Sequence, residues 1–141
     1  MSVISCALLV DDDETTNYLN QRLLRKASIT DTILVAGNGQ EALDLLHDHC
    51  EQPTSPTCPA LILLDMKMPL MNGFEFLQAF AQRPQRQDPP VVIIMLTTSL
   101  NLEDVAGMQN LPIAGYLNKP LTTEKITQIM AEHFGHTSPG S

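Results

Sequence analysis

Positive charge is scarce in this chain. Eight lysines and arginines stand against sixteen aspartates and glutamates over 141 residues, a formal net charge of −8. That balance excludes nonspecific nucleic-acid binding, which needs a basic face, and attraction to an anionic membrane surface. Long apolar runs are missing as well. None approaches the ~18–20 residues of a membrane span, and the N-terminus lacks the basic stretch and long apolar run of a secretory signal. Cysteine is sparse. Cys6, Cys50 and Cys58 are an odd set without the spacing of a disulfide framework, which suits a reducing, cytoplasmic setting.

What is present is a series of short apolar runs, each followed by a helical pattern. At this length a single domain is expected. Ser5 to Val10 reads as a buried strand, and Leu19, Leu23 and Ala27, four apart, as the inner face of the helix after it, with Asp12 or Asp13 as cap. Thr32 to Ala36 is a second strand. Gly37-Asn38-Gly39 then turns into a helix with Ala42, Leu45, Leu46 and Cys50 in repeat. A proline-rich loop, Glu51 to Pro59, leads to the strand Ala60 to Asp65. The helix Gly73 to Arg83 follows, with Phe74, Leu77, Phe80 and Ala81 inward. Val91 to Leu96 is the fourth strand and Leu102 to Gln109 a short fourth helix weakened by Gly107. Ala114 to Leu117 is the fifth strand, and a last helix runs from about Thr122 to Phe134 with Ile126, Ile129 and Met130 inward. Residues 1–134 form the expected domain, and 135–141 read as a disordered tail. Five strands alternating with five helices predict an α/β fold, a parallel sheet with helices on both faces.

Polar residues follow four of the strands: Asp11, Asp12 and Asp13; Asp65; Thr97; Lys119. In an open parallel sheet, strand carboxyl ends share one edge, where ligands bind. The first and third strands must be neighbours for these groups to meet, as in the flavodoxin-like order 2-1-3-4-5. Carboxylates gathered at one edge repel, and a divalent cation relieves the repulsion. Carboxylate oxygens without a cluster of His or Cys favour Mg²⁺, with Mn²⁺ as substitute, over zinc. Acid, metal, lysine and hydroxyl together suit phosphoryl transfer, with Asp65 as nucleophile.

Four motifs carry a resemblance: Leu-Val-Asp11-Asp12-Asp13; Leu64-Asp65-Met66-Lys67-Met68-Pro69-x-x-x-Gly73; Leu96-Thr97; and Gly115-Tyr116-Leu117-x-Lys119-Pro120. In this order and spacing, over about residues 3 to 134, the chain resembles the receiver domain of two-component response regulators. The resemblance implies that Asp65 takes a phosphoryl group from a phosphohistidine on a histidine kinase or histidine phosphotransfer protein. It implies that Asp11, Asp12, Asp65 and the backbone carbonyl of Lys67 hold Mg²⁺, and that Lys119 pairs with the phosphoryl group. Thr97 and Tyr116 resemble the switch pair that couples the site to the fourth helix, fifth strand and last helix, for a downstream protein partner or onward relay. The Lys119-Pro120 bond resembles one that is cis in the family. The expected protein is a stand-alone receiver, not a turnover enzyme, without nucleic-acid or membrane partners. Lys67 and Thr98 depart from common family choices, and Thr98 is expected to slow hydrolysis of the aspartyl phosphate by crowding water.

Other readings explain less. Gly37-x-Gly39-x-x-Ala42 matches a dinucleotide fingerprint but is not on the first strand and lacks the later acid. His47, His49, Cys50 and Cys58 match no zinc module. Asp11-x-Asp13 opens like a calcium loop, but Thr16 and Arg22 stand where glycine and glutamate are required. Asp11-x-Asp13-x-Thr15 resembles the nucleophile loop of haloacid-dehalogenase-type phosphatases, which leaves the Asp65-to-Gly73 motif unexplained. A receiver-like adaptor that works without phosphorylation leaves the complete acid, threonine and lysine set unexplained.

Overall fold

The computed structural model describes residues 4–50, 58–66, 68, 70–82, 91–97 and 113–134. The expected fourth helix, the Glu51-to-Thr57 part of the proline-rich loop, Lys67, Thr98 and the tail lie outside the described residues.

Five strands form one parallel sheet: β1 (Ala7–Val10), β2 (Ile33–Ala36), β3 (Leu61–Asp65), β4 (Val92–Thr97) and β5 (Gly115–Asn118). Their order is β2-β1-β3-β4-β5, the expected one. The four described helices are α1 (Glu14–Lys26), α2 (Gly39–His49), α3 (Gly73–Gln82) and α4 (Thr123–Phe134). β1 and β3 are buried at every position, so their sequences are apolar throughout instead of alternating. Successive side chains still point to opposite faces. Leu8, Val10, Ile62, Leu64, Ile93 and Met95 pack on one side with Phe76, Leu77 and Phe80 of α3 and Ala42 and Leu46 of α2. Ala7, Leu9, Leu61, Leu63, Ile94 and Leu96 pack on the other with Leu24 of α1 and Ile126, Ile129 and Met130 of α4.

Local chemistry starts the helices. Asp13 caps α1 by accepting the Thr16 N–H and hydroxyl. Asn38 caps α2 by accepting the Glu41 N–H at 2.9 Å, and the Glu41 carboxylate accepts the Gly37 N–H at 3.1 Å. At α3 the exchange is reciprocal: Asn72 accepts the Glu75 N–H at 2.9 Å and Glu75 accepts the Asn72 N–H at 3.0 Å, a capping box built on asparagine.

Three expectations need correction. Of the expected face of α1, Leu23 and Ala27 are half-buried against the core, but Leu19 is 54% exposed and the buried residues are Asn17, Asn20 and Leu24. The helix is turned so that its first turns present amides, not leucines, to the core, because Asn17 bonds to the carbonyl of Asp11. On α3, Phe76 is fully buried and Ala81 is exposed; Gly73, Phe76, Leu77 and Phe80 form the buried face, with the Phe76 and Phe80 rings stacked at 6.0 Å. Cys50 and Cys58 form a disulfide, with Cα atoms 4.7 Å apart, while Cys6 is a buried free thiol. Spacing in sequence did not reveal that the end of α2 meets the approach to β3.

Leu70 lies in the left-handed region at φ 67° and is 86% exposed. A non-glycine residue there costs about 1–2 kcal/mol, and its exposed side chain returns little packing. Leu70→Gly is therefore expected to raise stability by about 0.5–1 kcal/mol in urea unfolding; a loss would show that Leu70 packs on something.

Candidate phosphoacceptor and metal site

The parallel ladder decides which acids meet. Val10 pairs with Leu64, and Asp65 pairs with Leu96, so Asp11, Asp65 and Thr97 leave adjacent strands at the same edge. Asp11 and Asp65 are buried at 4% and 7% exposure. Asp12 is exposed, yet Asp11, Asp12 and Asp65 each bring a carboxylate oxygen within 4.8 Å of the others. Lys119 enters from the end of β5. Its Nζ lies 2.8 Å from Asp11 Oδ2 and 3.2 Å from Asp65 Oδ1. Its backbone N–H donates to the Thr97 carbonyl at 2.7 Å, and the Lys119-Pro120 peptide is cis.

Burial works against the charge of Lys119. The bond and charge of Asp11 and the charge and bond of Asp65 together outweigh it and hold the ammonium above its ordinary value of 10.5. An ammonium raised in the folded state adds stability that is fully present below its unfolded value and is lost as pH rises through the folded one. At neutral pH the pairing is at full strength. Asp13 plays a different part: the Thr16 hydroxyl holds its carboxyl below the ordinary carboxylate value, as suits a helix cap.

Among the described residues three carboxylates face one ammonium, which leaves that set net negative. Its donors are all hard oxygens, and among the described residues no His or Cys joins the group. That set fits Mg²⁺ or Mn²⁺ and not zinc. The surrounding backbone is tight. Gly73 donates its N–H to the Met66 carbonyl at 3.0 Å, and a Cβ on Gly73 would come within 2.8 Å of the Asp65 carbonyl oxygen. The start of α3 is thereby pressed against the peptide that carries Asp65, which only glycine permits.

The structure brings together Asp11, Asp12, Asp65, Thr97 and Lys119. Thr97 is 3% exposed at the end of β4, and Tyr116, on β5, is 39% exposed. The Lys67 carbonyl and Thr98 lie outside the described residues.

One residue escaped the sequence reading. Asn17 donates from Nδ2 to the Asp11 carbonyl at 2.9 Å. Among the described residues, its Oδ1 is a buried side-chain atom with no hydrogen-bond partner. An orphaned acceptor in a core position normally costs about 1–3 kcal/mol, so Asn17 holds the acidic turn at the expense of packing. The only signal in sequence was a polar residue one turn after the acids.

Comparison with known proteins agrees with this geometry. Residues 7–131 match the family model described as the response regulator receiver domain. The chain is 36% identical over 112 residues to response regulator Rcp1 of Synechocystis sp., covering 79% of this chain and 74% of that protein. It is 34% identical to the transcriptional regulatory protein CpxR of Escherichia coli, spanning 84% of this chain but 44% of CpxR. A two-component response regulator from Cytophaga hutchinsonii superposes with a TM-score of 0.80 at 26% identity, covering 92% of this chain and 96% of that one. One from Legionella pneumophila has a TM-score of 0.72 at 30% identity, covering 88% and 93%. Family, strand order and site together place this chain among the receiver domains of two-component response regulators.

Proposed function

We propose that Asp65 accepts a phosphoryl group from a phosphohistidine, carried by a histidine kinase or histidine phosphotransfer protein, and that the resulting charge alters a surface read by a protein partner or a further relay. The observation that carries this reading is the bridge of Lys119 between Asp11 and Asp65, with Asp12 in reach of both. It sets a nucleophile, a counter-charge and an oxygen donor set at one strand edge.

Asp11, Asp12 and Asp65 would hold Mg²⁺, which supplies charge neutralisation for the incoming group. An Asp65 oxygen forms the new bond to phosphorus as the phosphorus–nitrogen bond breaks. The electron pair leaves with the imidazole nitrogen, which takes a proton. Asp65 is already oriented by Lys119, and the Gly73 contact fixes its peptide, so little reorganisation is needed. Lys119 stays beside the product, where it offsets part of the added charge of about −1.5 to −2. Thr97, at the end of the neighbouring strand, supplies a hydroxyl at the same edge. The Thr97–Tyr116 switch and the setting in the cytoplasm belong to the same proposal. Among the described residues no helix is long and apolar enough to cross a membrane. In this reading the chain is a phosphoacceptor that assists its own phosphorylation and dephosphorylation, not a turnover enzyme.

Incubation with acetyl phosphate tests the reading. Intact mass should show one added phosphoryl group with Mg²⁺ and none with a chelator; no uptake from acetyl phosphate or from a phosphohistidine donor would overturn it.

Asn17 offers a finer check. Asn17→Leu loses one hydrogen bond and one orphaned acceptor, so stability should change by less than about 1 kcal/mol. Mg²⁺ binding, followed by titration calorimetry, should weaken about tenfold because the Asp11 backbone is no longer held. Equal affinities would make Asn17 a packing residue only.

A further inference from the structure

Outside the acidic site, the most chemically distinctive group is the sulfur pair at the opposite end of β3. Cys50 closes α2: its N–H donates to the Leu46 carbonyl at 2.8 Å. Cys58 lies just before β3, and the disulfide between them spans eight positions in sequence. We propose that Cys50 and Cys58 are a reversible dithiol–disulfide pair that ties the end of α2 to the approach of β3 according to the thiol–disulfide balance around the protein.

Three observations support this. First, both cysteines are only half-buried, so a small thiol or disulfide can reach them. Cys6 is fully buried, and burial pushes its thiol up to about 11, so it does not compete. Second, the bond lies outside the core. Both core clusters are complete without it, and Cys50 only borders the one that contains Leu46. Third, the other end of α2 is already attached. Gly39 donates its N–H to the Met71 carbonyl at 3.1 Å, and a Cβ there would sit 2.7 Å from Met71 Cγ. Met71 belongs to the segment between Asp65 and α3. A closed disulfide therefore fixes α2 at both ends along the strand that carries Asp65, and an open one frees its C-terminal end.

The exchange balances with a low-molecular-weight disulfide such as oxidised glutathione. One cysteine thiolate attacks it, forming a mixed disulfide and releasing one glutathione thiolate. The second cysteine thiolate then attacks the protein sulfur of that mixed disulfide and releases the second. Two electrons pass from the cysteine pair to the glutathione sulfurs, and the two cysteine protons end on the two glutathione thiols. Excess reduced glutathione runs the sequence backwards.

The test equilibrates the full chain in glutathione buffers of graded ratio, then traps free thiols by alkylation for mass spectrometry and amide exchange. The disulfide fraction should rise from near zero to near complete across the series, with circular dichroism showing a folded chain at both limits. The thermal midpoint should rise by about 5–10 °C on oxidation. Amides of the last turns of α2 should exchange more slowly in the oxidised form. The Cys50→Ser/Cys58→Ser variant should match the reduced wild type at every ratio. A bond that stays closed at every ratio, or never forms, would overturn reversibility. Equal α2 exchange in the reduced and oxidised wild type would overturn the tie, and needs no variant to be read.

Discussion

Asp65→Asn should abolish Mg²⁺-dependent phosphoryl uptake while leaving the chain folded. Asparagine has the shape of aspartate, and the site is tight around the peptide of residue 65, where Gly73 has no room even for a Cβ. What changes is chemistry. The amide oxygen is a poor nucleophile and cannot form a stable acyl phosphate, and the cluster loses one of its three carboxylates. The expected loss is at least about a thousandfold, the scale on which removal of a nucleophile acts. Intact mass after incubation with acetyl phosphate measures it. Continued uptake by the variant would move the acceptor to another residue, and Asp11 and Asp12 would be the first to examine.

Lys119→Met should destabilise the Mg²⁺-free protein by about 2–3 kcal/mol and make its stability depend steeply on Mg²⁺. Methionine retains much of the stem packing, so the change isolates the charge. Lys119 now serves two carboxylates that are 5% and 10% exposed at their side chains, and is itself 18% exposed. Removing it leaves those carboxylates beside Asp12 without the one cation that pairs with them among the described residues. A full buried-pair break costs about 3–5 kcal/mol; the partial exposure of the lysine lowers the expectation. Mg²⁺ restores the missing charge, so urea midpoints in saturating Mg²⁺ should converge toward the wild type. A variant as stable as the wild type without Mg²⁺, or one that gains no more from Mg²⁺ than the wild type does, would show that the lysine is not the neutralising group.

The middle of the sheet was legible because β1, β3 and nearly all of β4 are buried on both faces and therefore written as unbroken apolar runs ending at a polar residue, whereas the edge strands β2 and β5 are partly exposed. Asp11, Asp65, Thr97 and Lys119 could be placed at one edge because parallel strands all end there. The helices were less legible. Leu19, Leu23 and Ala27 repeat as a buried face should, and Leu23 and Ala27 do pack on the core, yet Leu19 is exposed and α1 turns Asn17 and Asn20 inward. Hydrophobic periodicity cannot register an amide whose reason for burial is a backbone carbonyl in the neighbouring turn. On α3 the buried set Gly73, Phe76, Leu77 and Phe80 keeps helical spacing, but apolar residues at most positions of the helix also allow a face through Phe74 and Ala81, and periodicity alone does not choose between them. The cysteine pair was invisible for another reason. Whether two sulfurs meet depends on where α2 ends over β3, and no local pattern encodes that distance.

The most direct test of the acidic edge as a phosphoryl site is amide NMR of the wild type and Asp65→Asn with beryllofluoride, a mimic of the phosphoryl group, in the presence and absence of Mg²⁺. The predicted result is a set of Mg²⁺-dependent shifts around Asp11, Asp12, Asp65, Thr97 and Lys119 that extends to Tyr116 and is absent from the variant. Shifts that are identical in Asp65→Asn, or no Mg²⁺-dependent shifts at all, would contradict it.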